Sequence, residues 1–111
     1  MKIEATQLDK AVLLKVTGRM DAENAHEFEH ACESWIPKGA KHLIADLEGL
    51  QYISSMGLRS VLAVAQKMKA SSGSLVLCGL QGLPRQVFEM TRLIGVLPVY
   101  DSASQAVAAL P

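Results

Sequence analysis

The chain has no excess of charge of either sign and few aromatic residues. It contains 11 lysine and arginine residues against 11 aspartate and glutamate residues, so its formal net charge at pH 7 is zero. Aromatic residues make up only 5% of the sequence, and no basic stripe carries them. Proteins that bind nucleic acid rely on clustered lysines and arginines to neutralise phosphates. We therefore expect no nucleic acid among the main partners.

Long hydrophobic runs are also missing. No uninterrupted apolar run approaches the roughly 20 residues that a membrane-spanning helix needs. The first residues alternate between apolar and polar, as in a strand, and contain no apolar signal core. The only cysteines, Cys32 and Cys78, lie far apart within apolar patterns, which favours buried reduced thiols over a disulfide. These features predict a cytoplasmic protein without membrane insertion.

Sequence motifs of common enzyme active sites are absent. Neither G-x-S-x-G, G-x-G-x-x-G nor a Walker sequence occurs, and no histidine lies at a recognisable spacing from Ser54 or Ser55. Cys32 and Cys78 fall in apolar segments, where thiols are usually unreactive. We expect a protein that is not an enzyme and needs no cofactor.

One metalloprotease-like motif does occur, because His26, Glu27 and His30 form the pattern H-E-x-x-H. A zinc site needs both histidines on a face that lines a cleft, together with a third ligand. The apolar residues of the same segment define a core side, from which His26 and His30 point about 120° to 160° away. We therefore expect an exposed histidine pair and no functional metal site. A zinc hydrolase remains an alternative, which stoichiometric zinc that survives dialysis would support.

Hydrophobic periodicity predicts one α/β domain spanning residues 1–111. The predicted order is ββαβαβαβα, an antiparallel hairpin followed by parallel strands joined through helical crossovers. We expect a mixed, mostly parallel sheet of four to five strands with about four helices. The predicted strands cover residues 2–6, 12–16, 42–47, 75–80 and 97–100, and the predicted helices cover residues 21–36, residues 55–70, a segment from 84 and a short segment after 101.

Ser54 and Ser55 stand where an apolar run gives way to the second predicted helix. At a helix N-terminus, free backbone N–H groups and the positive end of the helix dipole favour an oxygen acceptor or an anion. A serine there can act as a plain N-cap, which stabilises a helix by roughly 1 kcal/mol and is the commoner role. It can also carry a phosphate.

The helix that follows has an apolar side and a mixed side. Leu58, Val61, Leu62 and Ala65 recur at spacings of three and four, which predicts the core-facing side. The opposite side is a solvated surface or a contact patch, and an exposed methionine beside small residues suits a contact patch better than a charged face would. Its residues are Met56, Arg59, Ser60, Ala63 and Lys67.

Three segments together resemble the anti-sigma factor antagonists of the STAS-domain family. The loop Y-I-S-S-M-G-L-R at residues 52–59 is similar to the family's signature. The tetrapeptide G-R-M-D at 18–21 resembles its glycine-x-apolar-aspartate after the second strand, and V-F-E-M-T at 87–91 resembles its third-helix pattern. The resemblance covers the whole chain and implies a single STAS domain.

The resemblance implies a cytoplasmic partner-switching regulator. The unphosphorylated protein would bind an ATP-dependent serine kinase that doubles as an anti-sigma factor, and the kinase would release its other client. Phosphorylation of one loop serine would abolish binding, and a PP2C-type phosphatase would reset the system.

The family pattern makes Ser55, two positions before Gly57, the phosphoacceptor. Ser54 stands where many members carry aspartate, and Met56 stands where serine, threonine or alanine is commoner. Whether Ser54 can substitute for Ser55 stays open. Asp21 is either an N-cap of the first helix or, by its match to the family's aspartate, a contact or kinase-orienting residue. The expected partner-binding residues are Asp21, Ser54, Met56, Gly57, Arg59, Ser60 and Ala63.

A second function is compatible with the same resemblance. STAS domains also serve as accessory subunits of membrane transport complexes, where this chain would dock on the ATPase without being phosphorylated. The serine and aspartate of the family pattern favour the switch over this alternative.

Overall fold

The computed structural model describes all residues from 1 to 111. The strands are β1 (Lys2–Gln7), β2 (Val12–Met20), β3 (His42–Asp46), β4 (Leu50–Ile53), β5 (Ser74–Cys78) and β6 (Val99–Tyr100). The helices are α1 (Ala25–Glu33), α2 (Ser55–Ala70), α3 (Gly82–Met90) and α4 (Ala103–Ala108), and a single 3₁₀ turn occupies Leu93–Gly95. None of the helices is both long enough and apolar enough to cross a membrane.

The six strands form one mixed sheet in the order β1-β2-β3-β5-β6, with β4 paired to β2 as well. β1 and β2 form the predicted antiparallel hairpin, and every other pairing is parallel. Parallel neighbours need crossover connections, which the helices supply. The predicted fold class is therefore confirmed.

Strand β2 is shared by two partners along one edge. Its first half, Val12 to Lys15, pairs with β3, and its last three residues, Gly18 to Met20, pair with β4. Gly18 lies where the register shifts, with φ +97°, a conformation that glycine adopts without strain. This arrangement places the carboxyl end of β4 directly beside that of β2.

The core lies mainly between the sheet and helices α1, α2 and α3. Its largest fully buried side chains include Phe28 of α1, Met68 of α2 and Phe88 of α3, packed against inward-facing strand residues. A smaller cluster on the opposite sheet face holds Ile44 and Ala106 and is covered by α4. The two clusters explain why β3 and β5, buried on both faces, read as nearly continuous apolar runs.

The structure adds one strand to the predicted elements and moves both ends of the first helix, among other boundaries. Strand β4 falls within a stretch that the sequence pattern left unassigned, so the sheet has six strands instead of four to five. Helix α1 starts at Ala25, after a turn over residues 22–24, instead of at residue 21. It ends at Glu33 instead of at residue 36, and residues 34–39 form turns, because Pro37 disfavours helical backbone at the residues before it.

Candidate functional site

The parallel pairing of β2 and β4 builds the site. Met20 is in register with Ile53, and the N–H of Ser54 donates to the Met20 carbonyl oxygen at 2.9 Å. The residues after the two strands, Asp21 and Ser54, are thereby neighbours although 33 positions separate them in the sequence. The pairing brings together the aspartate and serine segments that the sequence pattern singled out.

Ser54 is the N-cap of α2. Its backbone is extended (φ −87°, ψ 173°), and its Oγ accepts a hydrogen bond from the N–H of Gly57 at 3.1 Å. Its carbonyl oxygen accepts the first helical bond, from Leu58 N–H at 3.0 Å. The hydroxyl of Ser54 therefore has a structural task, satisfying one of the free donors of the first turn.

Ser55 is the first residue of α2 and lies exposed at its start. Its hydroxyl makes no side-chain hydrogen bond within the protein, in contrast to that of Ser54. The two serines thus divide the roles that the sequence left open: one hydroxyl caps the helix, and the other points to solvent with no internal partner.

The outward side of α2 presents three further residues of the predicted stripe. Met56 is 40% exposed, Arg59 is exposed, and Ala63 is half-buried. Together with Ser55 they form a surface that we call the α2 face, defined as Ser55, Met56, Arg59 and Ala63. Residues 55, 59 and 63 follow each other at helical spacing, so this face is one continuous strip. Its chemistry is mixed: a hydroxyl, an apolar side chain and a cation.

Two residues predicted for the contact patch lie elsewhere. Ser60 is only 2% exposed, because its Oγ donates to Glu29 Oε1 of α1 at 2.8 Å and the two helices pack over it. The expected outward position of Ser60 is wrong. No sequence pattern indicates Glu29 as the partner of Ser60, because the pairing depends on how α1 packs against α2.

Gly57 is buried as well, so a partner protein cannot contact it at the surface. A Cβ added there would lie 2.6 Å from Cγ1 of Ile53 and 3.2 Å from Sδ of Met20. The absence of a side chain lets the first turn of α2 approach β2 and β4 closely. The expected surface role of Gly57 is therefore corrected to a packing role beneath the α2 face.

Asp21 caps the turn over residues 22–24 that leads into α1, in agreement with the N-cap alternative, and its carbonyl oxygen accepts a hydrogen bond from the N–H of Ala25 at 3.0 Å. Its Oδ1 accepts from the N–H groups of Glu23 and Asn24 at 3.0 and 3.1 Å. Asn24 returns the contact, since its Oδ1 accepts from the Asp21 N–H at 2.9 Å. Asn24, the N-cap of α1, makes no side-chain cap bond. The half-buried Asp21 is thus held rigidly beside Ser54.

Lys67 lies on the same side of α2 beyond the α2 face, but its ammonium group is already paired within the protein. It forms an ion pair with Glu33 of α1, one of two side-chain links between the helices. The pair ties the outer edges of α1 and α2 together, so Lys67 offers less free charge than the sequence pattern suggested.

The H-E-x-x-H histidines lie on the exposed face of α1, as predicted. The rings of His26 and His30 are 5.8 Å apart between centroids and meet edge to face. No group of three or more His, Cys, Asp or Glu side chains is arranged to hold a metal ion. The third ligand and the cleft that zinc hydrolysis requires are not provided by these residues.

The two thiols are buried and free. Burial raises the pKa of Cys78 to about 12, with the charges of Asp46 and Glu48 adding to the effect. Burial likewise raises the pKa of Cys32, reinforced by Glu33 and Glu29. Both thiols are neutral at pH 7 and unsuited to nucleophilic attack.

A polar contact near the site escaped the sequence interpretation. The guanidinium of Arg19 lies over the ring of Tyr52 at 4.3 Å, linking β2 to β4 just before Asp21 and Ser54. Recognising Leu50–Ile53 as a strand would have revealed it, since Arg19 and Tyr52 are register partners. The contact clamps the two strand ends that carry the site.

Comparison with known proteins shows the family of the chain. The STAS domain family model matches residues 2–106. The chain is 36% identical over 109 residues to BtrV of Bordetella bronchiseptica, which is named as an anti-sigma factor antagonist, covering 98% of this chain and 94% of that protein.

Solved structures show the same fold at lower identity. An anti-sigma factor antagonist of Thermotoga maritima superposes with a TM-score of 0.88 at 22% identity, covering 96% of this chain and 92% of the other. The Bacillus cell fate determinant SpoIIAA in its phosphorylated form gives a TM-score of 0.75 at 20% identity, covering 96% of this chain and 97% of the other. The family match over residues 2–106 and the relative at 36% identity show that the chain belongs to the STAS domain family.

Proposed function

We propose that this protein is an anti-sigma factor antagonist that acts by partner switching, with Ser55 as its phosphoacceptor. One observation carries the proposal: of two adjacent serines at the start of α2, Ser54 uses its hydroxyl as the helix cap, whereas the hydroxyl of Ser55 is exposed and unbonded. A kinase can approach the second hydroxyl without disrupting the helix. The protein itself catalyses nothing in this scheme.

The partner in this scheme is a serine kinase that also acts as an anti-sigma factor. The unphosphorylated α2 face docks on it, so the kinase releases its other client. Met56 supplies apolar contact area, Arg59 supplies a positive charge, and Ala63 permits close approach of the helix. Asp21, fixed beside Ser54, adds a carboxylate at the edge of this surface.

Modification then ends the complex. The Ser55 oxygen attacks the γ-phosphorus of ATP held by the kinase, ADP leaves, and the hydroxyl proton passes to a base on the kinase. The phosphomonoester carries about −1.5 to −2 charge at pH 7. In a closely packed interface that charge must be desolvated, and a hundredfold loss of affinity requires only about 2.7 kcal/mol. A PP2C-type phosphatase would restore the hydroxyl by hydrolysing the ester.

Two findings from relatives support this assignment. BtrV, similar along nearly the whole chain, carries the name of an anti-sigma factor antagonist. SpoIIAA, which shares the fold, has been solved in a phosphorylated form. Because the kinase requires ATP, the proposal places the protein in the cytoplasm.

The test is to mix the protein with its cognate kinase and ATP and to follow phosphate incorporation by mass spectrometry. We expect Ser55→Ala to abolish incorporation and Ser54→Ala to retain it, with a folded-state spectrum recorded for both. The reverse pattern would refute the assignment of Ser55. Calorimetry of the kinase complex should in addition show weaker binding for Ser55→Asp than for the unmodified protein.

The competing role is that of an accessory subunit of a membrane transport complex, docking on its ATPase without phosphorylation. The free hydroxyl of Ser55 favours the switch. Copurification from the native cell separates the two: a kinase and phosphatase support the proposal, whereas a permease and its ATPase replace it.

A further inference from the structure

The α2 face contains a cation without a partner, one helical turn from the exposed serine. Ser55 and Arg59 are four residues apart and both exposed. Residues at this spacing have Cβ atoms about 5–6 Å apart on one side of a helix. The guanidinium of Arg59 takes part in no ion pair, whereas Arg85 pairs with Glu89 and Arg19 lies over Tyr52.

The first turn of α2 also lacks a negative charge. It contains no acidic residue, and its only side-chain cap is the neutral hydroxyl of Ser54, which serves the N–H of Gly57. A dianion attached to Ser55 would therefore add a negative charge on the α2 face itself, four residues from Arg59 and in addition to the carboxylate of Asp21 at the edge of that face. The order, with the anion N-terminal to the cation at a spacing of four, is the favourable one for a helical ion pair.

Resting on the proposed function, we propose that Arg59 is the internal partner of the phosphate on Ser55. In the unmodified protein Arg59 is free to contact an acidic group of the kinase. After phosphorylation the guanidinium turns to the phosphate oxygens, for which its forked donors are well suited. Phosphorylation then acts twice on the α2 face: it adds negative charge and withdraws the cation.

The pair makes predictions that do not depend on any kinase. Phosphoserine can be installed at residue 55 during translation, giving phosphorylated and unmodified protein with Arg59 or with Arg59→Gln. The four proteins form a double-mutant cycle that isolates the interaction between the two groups. Arg59→Lys tests whether the paired N–H donors of the guanidinium matter, since lysine keeps the charge but loses the bidentate geometry.

A matched control removes a positive charge from the same helix far from the phosphate. Lys69→Gln alters an exposed lysine about 21 Å along α2 from Ser55, at 1.5 Å per residue. We expect Lys69→Gln to leave the pH midpoint of the phosphate titration unchanged.

Two measurements report the pair. In ³¹P NMR titrations, the second ionisation of the phosphate, near pH 6 for phosphoserine, should have its midpoint at lower pH with Arg59 than with Arg59→Gln, and Arg59→Lys should fall between them. In urea unfolding, the coupling should correspond to about a two- to fivefold change in the unfolding equilibrium constant. Coincident titrations and no coupling would overturn the proposal.

The outcomes separate this inference from the proposed function. If the installed phosphate pairs with Arg59 but kinase affinity is unchanged, the proposed partner switch is refuted and the proposed ion pair is supported. If the phosphate weakens kinase binding equally with Arg59 and Arg59→Gln, and the ³¹P midpoints coincide, the switch stands and the role of Arg59 is refuted.

Discussion

Substitution by alanine should lower stability at Ser54 and leave it nearly unchanged at the adjacent Ser55. Ser54→Ala removes the Oγ that accepts from Gly57 N–H at 3.1 Å and leaves that donor without its cap. Loss of a serine N-cap costs about 1 kcal/mol, within a range of roughly 0.5 to 2. Ser55→Ala removes only an exposed hydroxyl without an internal bond, at a position where alanine is a good helix former.

For a domain of this size, about 1 kcal/mol corresponds to a fall in Tm of roughly 4 °C. We therefore expect Ser54→Ala to unfold at a temperature lower by about that amount, and Ser55→Ala to unfold within about 1 °C of the parent. Differential scanning calorimetry and urea unfolding with a shared m-value measure both changes directly.

Ser54→Asp is the matched control. Aspartate caps as well as serine and adds a negative charge at the positive end of the helix, worth about 0.3–1 kcal/mol. The Ser54→Asp variant should thus be at least as stable as the parent. Equal destabilisation by Ser54→Ala and Ser55→Ala, or none by either, would refute the division of roles between the two hydroxyls.

Three further predictions follow from contacts around the site. Gly57→Ala should destabilise the protein by about 1 kcal/mol in urea unfolding, because a Cβ 2.6 Å from Ile53 Cγ1 outweighs the better helix propensity of alanine; an unchanged midpoint would argue against the close packing. Ser60→Ala should cost about 1 kcal/mol through loss of its bond to Glu29 yet leave kinase affinity within twofold, and a tenfold loss of affinity at unchanged stability would return Ser60 to the docking surface. Because burial raises the pKa of Cys78 to about 12, the unfolded state loses the thiol proton first, so the free energy of unfolding should fall as pH rises from about 9 towards 12. That fall should be shallower in Cys78→Ala, and identical slopes would contradict a neutral buried thiol.

Local sequence pattern was enough for most elements of the fold. Apolar periods of two and of three to four predicted the hairpin, the central strands and helix α2, since these periods follow from the geometry of strands and helices. Strand β4 was missed because it is four residues long and directly precedes a helix. Its only sheet partner is β2, at least 30 positions away, so no local sequence pattern indicates the pairing.

The candidate site was likewise predicted from the sequence in part and missed in part. The motif around Ser54 and Ser55 identified the helix start, and the resemblance to STAS domains identified the family, which the family match over residues 2–106 confirms. Spacing on a helical wheel misplaced Ser60, because the wheel separates a core side from an outer side but does not show a second helix lying against the flank. Glu29 of α1 lies against that flank, and its carboxylate accepts a hydrogen bond from the hydroxyl of Ser60.

The amino-acid sequence by itself determined that this chain is one α/β domain with a serine pair at a helix start, because periodicity and capping preferences are local properties. Only the tertiary structure decided which residues lie beside the serine pair and which share its surface. Those facts depend on the parallel pairing of β2 with β4, which places Asp21 beside Ser54, and on the packing of α1 over α2, which buries Ser60 and leaves Arg59 exposed. Both arise from contacts between segments far apart in sequence, and local preferences do not encode such contacts.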